Sequence, residues 1–182
     1  MTDRLPPLDP ARFSPEQRSL HDAIAGVRGG AVRGPFAVWL RTPGIAEAAN
    51  RFGNALRLDG KLDKRLFELA ILVVARHWGA QYEWYVHERH ALEVGLSRDV
   101  IEAIRDRRVP AFTDAIQKLV YELVNELQQT RTIGDASYRR AVDVLGEELL
   151  IELITAVGFY TVAAMMINAF AAPVPGDARP LP

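Results

Sequence analysis

The sequence predicts an all-α protein, and three observations carry that expectation. Apolar residues recur at spacings of three and four along most of the chain, the period of a helix with one buried face. No stretch alternates apolar and polar residues for long enough to make a half-buried strand. Helix punctuation, with Ser or Asp before the periodic segments and Gly or Pro after them, recurs from residue 14 onward.

Taken in order, a first helix starts at Ser14, where Ser-Pro-Glu supplies a cap, a proline at the first helical position and an acid in the first turn. It ends by Gly29 and Gly30. Residues 31–43 hold two prolines and a glycine around Phe36, Val38, Trp39 and Leu40, and read as a packed loop or a short helical turn. A second helix spans residues 43–58 and breaks at Asp59 and Gly60. The third, residues 63–78, is capped by Asp63 and interrupted by Gly79. The fourth runs from residue 80 or 81 to 93 and closes on Val94-Gly95-Leu96, a glycine stop followed by an apolar residue. Ser97 caps a fifth helix to about residue 107, Pro110 separates it from a sixth over 113–129, and Asp135 caps a seventh that ends near Leu145 and Gly146.

An eighth, uncharged helix follows. Residues 153–172 form a run of 20 without a charge, close to what a bilayer span needs. Thr155, Thr161 and Asn168 inside it, Glu147, Glu148 and Glu152 before it, and the absence of a flanking basic cluster favour a core helix covered on every side by its own domain and by other subunits. Residues 1–172 are thus expected to form one domain and 173–182 a Pro-rich flexible tail.

Composition bounds the chemistry. About half of the 182 residues are apolar and none is cysteine, so disulfides, thiolate ligands and thiol nucleophiles are excluded. Basic and acidic residues number 22 and 23, a balance that leaves no electrostatic footprint for nucleic acid or an anionic membrane. No apolar run follows the first charges, so the expected location is cytoplasmic.

The chemistry-bearing residues concentrate in the fourth helix. Glu83, His87 and His90 share one of its faces by spacing, while Glu88 points elsewhere. A carboxylate beside an imidazole orients it for acid/base work near neutral pH. The same three residues do not match a zinc-protease or di-iron spacing, and no metal or other cofactor is expected. Tyr82, Trp84 and Tyr85 interleave with them, a mixture suited to the wall of a small-molecule pocket. Glu68 is a lone acid in the apolar run of the third helix and needs solvent or a partner. If the third and fourth helices form a hairpin about Gly79, Glu68 becomes a second carboxylate near His87.

From Glu68 to His87 the sequence resembles the signature of the carboxymuconolactone decarboxylase family, which includes the alkylhydroperoxidase D peroxidases. Glu68 and His87 stand in register with that branch's Glu and His, while Ala80 and Glu83 occupy its two Cys positions. The wider match covers residues 36–97 and centres on Tyr-Glu-Trp-x2-His. The resemblance implies an alkylhydroperoxidase D-like bundle of about eight helices, assembled into trimers or hexamers with sites near subunit boundaries. It rules out the thiol peroxidase reaction here and implies a cofactor-independent decarboxylase of aromatic-compound catabolism, acting on a carboxylated lactone or related oxoacid.

On that reading His87, held by Glu83 or Glu68, is the catalytic acid. Tyr82, Trp84 and His90 contact the substrate, and Arg76 and Arg41 are candidates for its carboxylates, with Arg51 a third cation in the matching region. Another lyase, isomerase or hydrolase on the same scaffold, or a non-enzymatic binding module, stands as the alternative.

Overall fold

Helix ends fall where the sequence carries its punctuation. The computed structural model describes residues 4–182, which form eight α-helices and no strand among the described residues. Helix α1 (Pro15–Val27) opens on a capping box, with the Gln17 amide donating to Ser14 Oγ at 3.2 Å and the Ser14 amide to Gln17 Oε1 at 3.0 Å. The Pro- and Gly-bearing segment makes a short helix, α2 (Pro35–Trp39). Helix α3 (Pro43–Asn54) then widens into a π-helical turn at Ala55–Asp59, so the second helix reaches its expected end by a different hydrogen-bonding pattern. That pattern turns Leu56 into the core and leaves Arg57 beside the site described below.

Helices α4 (Lys64–Trp78) and α5 (Gln81–Glu93) form a hairpin. Asp63 caps α4 by accepting from the Arg65 amide at 2.8 Å. Gly79 ends it at φ 60°, and the Ala80 amide reaches back to the Ala75 carbonyl at 2.9 Å. Every residue from Leu66 to Ala75 is buried, because α5, α6, α7 and α8 all pack around α4. Helix α4 is therefore the axis of the core. Helix α6 (Arg98–Arg105) follows Ser97, which sits at the cap position without making a side-chain cap bond.

Helix α7 (Ala115–Thr130) is capped by Asp114, whose carboxylate accepts from the Ile116 and Gln117 amides. The long run α8 (Asp135–Ala169) contains the expected break: Gly146 is extended at φ 78°, ψ 162° and divides it into two helices. Asp135 is its first helical residue rather than its cap, a place taken by Gly134.

By length and composition α8 could cross a bilayer, and half of its most apolar stretch is buried inside the protein against α4, α2, α5 and α7. Coverage on every side, as its apolar sequence suggested, is not met within one chain. Ile151, Val162 and Met165 remain 66%, 49% and 45% exposed. The tail also departs from expectation. Leu181 is 3% exposed, and its backbone amide and carbonyl pair with the Gln81 side-chain amide, each at 3.0 Å. A buried leucine and two hydrogen bonds anchor the end of the Pro-rich segment to the start of α5.

Candidate active site

The hairpin brings together two groups that lie 19 residues apart. His87 Nδ1 and Glu68 Oε2 are 2.6 Å apart, and both side chains are almost fully buried. Burial alone pushes the Glu68 carboxyl up. The charge and hydrogen bond of His87 outweigh it, with smaller help from His90 and Arg57, and hold the carboxyl below its ordinary range. An ionised carboxylate therefore fixes one nitrogen of His87, and the Nε2 side of the ring is left for the cavity that His87 lines.

That cavity has a volume of about 620 Å³. His90 lines it with His87, their ring centroids 5.6 Å apart and edge to face. Burial and the neighbouring His87 charge lower the His90 pKa, so this ring is neutral at neutral pH. From α8, Tyr160 packs edge to face on His87 at 5.0 Å. Burial raises the Tyr160 phenol well above its usual range, only partly offset by Arg57, which bonds to it.

Glu83 does not hold His87 as its spacing suggested, because Glu68 occupies the available nitrogen. Glu83 lies in the cavity wall at 3% exposure, with both carboxyl oxygens enclosed and unpartnered. Burial without a partner pushes its carboxyl well above the ordinary range and so favours the protonated form.

Other expected contacts are also redistributed. Tyr82 lines the cavity and separates it from a second one of about 490 Å³. Trp84 is core rather than wall: it is fully buried and its indole donates to Glu88 at 3.2 Å. Arg76 is turned away, its Nε donating to the Arg105 carbonyl at 2.6 Å. Arg41 lines only the second cavity and donates to the Ala37 and Pro6 carbonyls.

The cations of the site are Arg28, Arg33, Arg57 and Arg89, none of which the sequence singled out. Arg28 and Arg33 come from the loop around Gly29 and Gly30, Arg57 from the π-helical turn and Arg89 from α5. Arg28 lies over the Phe36 ring at 4.0 Å and leaves its Nε buried without a partner. Among the described residues Glu83 is the one acid that lines this cavity, with the paired Glu68 behind His87. The cavity is therefore positive in a chain whose net charge is −1.

The chain is thus an all-helical bundle built around a hairpin that carries a buried Glu/His pair, without cysteine. Residues 43–124 match the model of the carboxymuconolactone decarboxylase family. Among solved structures, an uncharacterized peroxidase-related protein from Silicibacter sp. TM1040 is 17% identical, with 97% of this chain and 93% of that one covered at a TM-score of 0.77. A protein of unknown function from Agrobacterium tumefaciens, described with the antioxidant defence protein AhpD, is 16% identical over 76% of this chain and 95% of its own, at a TM-score of 0.68. A Cys-to-Ala variant of the debrominase Bmp8, in complex with 2,3,4-tribromopyrrole, is 12% identical over 94% and 91%, at 0.75. At these identities the likeness establishes the fold. No curated protein matches the sequence.

Proposed function

We propose that the protein is a cofactor-independent acid/base enzyme acting on a small carboxylated lactone or related oxoacid of aromatic-compound catabolism, with loss of CO2 as its reaction. The observation that carries this reading is the buried 2.6 Å pair of Glu68 and His87 at the wall of an arginine-lined cavity. Arginines bind carboxylates without leaving a buried charge unpaired, and four of them border one space of small-molecule size.

In the proposed step the bond from carbon to the departing carboxylate breaks and its electron pair moves toward the lactone carbonyl, where the arginines stabilise the developing enolate. CO2 leaves, and His87, protonated at Nε2, delivers that proton to the carbon. Glu68 stays ionised throughout, orienting the ring and stabilising its charged form. Tyr160 fixes the ring plane from the other side.

We also infer that copies of the chain assemble, since the exposed apolar positions of α8 lie on one side of that helix. The reaction is tested by CO2 release from a panel of carboxylated lactones and oxoacids. His87→Ala should lower turnover by about 10²- to 10⁴-fold with the circular dichroism of the parent; undiminished turnover removes His87 from the chemistry. Conversion of a substrate without CO2 release would instead assign another acid/base reaction to the same residues.

A further inference from the structure

We propose that Glu68, His87 and His90 form a binding site for one divalent transition-metal ion of the zinc class, and that the bound ion switches off the proton donor. The first half stands on geometry alone; the second rests on the proton-donor role of His87.

Spacing within α5 offers Glu83 as the carboxylate beside the two histidines. The fold supplies a different one, from α4, and the set changes character. One ligand atom from each of Glu68, His87 and His90 lies within 4.8 Å of the other two. Two imidazoles and a carboxylate are a donor set that zinc accepts while keeping a position open.

At His90 the distances suit a shared ion better than direct pairing, while the 2.6 Å bond between His87 Nδ1 and Glu68 Oε2 opens to admit it. His90 Nδ1 is buried without a hydrogen-bond partner, and its nearest carboxylate atom, Glu68 Oε1, is 3.9 Å away, too far for a hydrogen bond. Ligands bound at about 2.0–2.1 Å around a tetrahedral ion sit roughly 3.4 Å from each other, so a small side-chain adjustment brings both atoms onto one centre. Two imidazoles on one ion place their ring centres on the order of 5 Å apart. The rings of His87 and His90 are already at 5.6 Å, with an interplanar angle of 84°. An ion would thus satisfy a buried nitrogen that the protein alone leaves orphaned.

Arg57 is the opposing charge, acting on both Glu68 and His90. It weakens the site relative to a structural zinc centre and favours an anion as the fourth ligand on the cavity side. Once bound, the ion holds the Nδ1 lone pair of His87 and an oxygen of Glu68. Glu68 then no longer pairs with the ring in the way that the proton-donor role requires.

The test uses the untagged full chain, equilibrium dialysis against zinc sulfate, and the visible spectrum after cobalt is substituted. The expected result is about one ion per chain, with a cobalt spectrum of low coordination number. His90→Ala, at a half-buried position, should weaken binding more than about tenfold, and Glu68→Gln should do the same. His77→Ala, outside the site, should retain the ion. Absence of saturable zinc binding, or binding unchanged in His90→Ala, overturns the site. Inhibition of turnover by zinc, reversed by a chelator, supports the switch. Activation by zinc leaves the site standing and overturns both the switch and the metal-free proton-donor reading.

Discussion

Two carboxyl groups on neighbouring helices are driven in opposite directions by their surroundings. Glu68 has His87 as a hydrogen-bond partner at 2.6 Å and is held below the ordinary carboxylate range; Glu83 has no partner and is pushed well above it. Each carries a pH dependence of opposite sign. Glu68, with its folded pKa depressed, contributes stability above the unfolded carboxylate pKa that is lost as pH falls through the folded value. For Glu83 the folded pKa is raised, so its contribution is complete below the unfolded value and is lost as pH rises toward the folded one. Glu83→Gln removes only the second term. The variant should match the parent in mildly acidic buffer and exceed it by roughly 1–3 kcal/mol near neutrality, read by urea unfolding at about pH 5 and about pH 8. A gain that does not grow with pH would mean that the carboxyl is paired when folded. Helical spacing drew Glu83 and His87 together and an isolated acid in an apolar run drew in Glu68, but neither signal told which acid holds the imidazole. Periodicity tells which residues share a face of one helix; the pairing depends on how close a second helix comes.

At the scale of elements, local signals sufficed for most boundaries because they are local chemistry: the Ser14 capping box, the Asp63 cap and the left-handed Gly79 need no tertiary partner. The π-helical turn at Ala55–Asp59 had no such signal, since its five residues read as ordinary helix. Arg57 was missed with it. The four cavity arginines come from three separate segments that converge only when α3, the loop before α2 and α5 pack together. One loop residue sets that convergence. Gly34 lies at φ 58°, ψ −135°, a region nearly closed to other residues, and a Cβ there would collide with the Tyr82 ring. Gly34→Ala should cost about 1–3 kcal/mol in denaturant unfolding, and it should move Tyr82 off the wall between the two cavities. Gly26→Ala, inside α1 and with open space around its Cβ position, should be neutral or stabilise by up to about 1 kcal/mol in the same measurement. Equal effects at the two sites would locate the cost outside the Gly34–Tyr82 contact.

For the whole molecule the open term is the outer face of α8. Its sequence is apolar all round, a property shared by membrane spans, core helices and helices covered by a partner subunit, so composition alone could not separate them. The fold answers half of the question: the face carrying Leu153, Ala156, Val157, Tyr160, Ala164 and Ile167 is packed inside the chain. The other face presents Ile151, Gly158, Val162 and Met165 to solvent. Their spacings of seven, four and three keep them on one stripe, and the glycine within it permits close approach of another backbone. Apolar positions lined up in this way are the expected seam of a homo-oligomer. Val162→Glu places a charge on that stripe without touching the core, so the monomer's own stability should change by no more than about 0.5 kcal/mol. An assembled parent should therefore give way to a smaller species in sedimentation velocity, with the helical signal unchanged. If the parent already sediments as a monomer, or the variant sediments as the parent does, the stripe is not the assembly surface. Dissociation with turnover retained would place all catalytic groups within one chain; dissociation with turnover lost would make the cavity wall beside α8 dependent on the neighbouring copy.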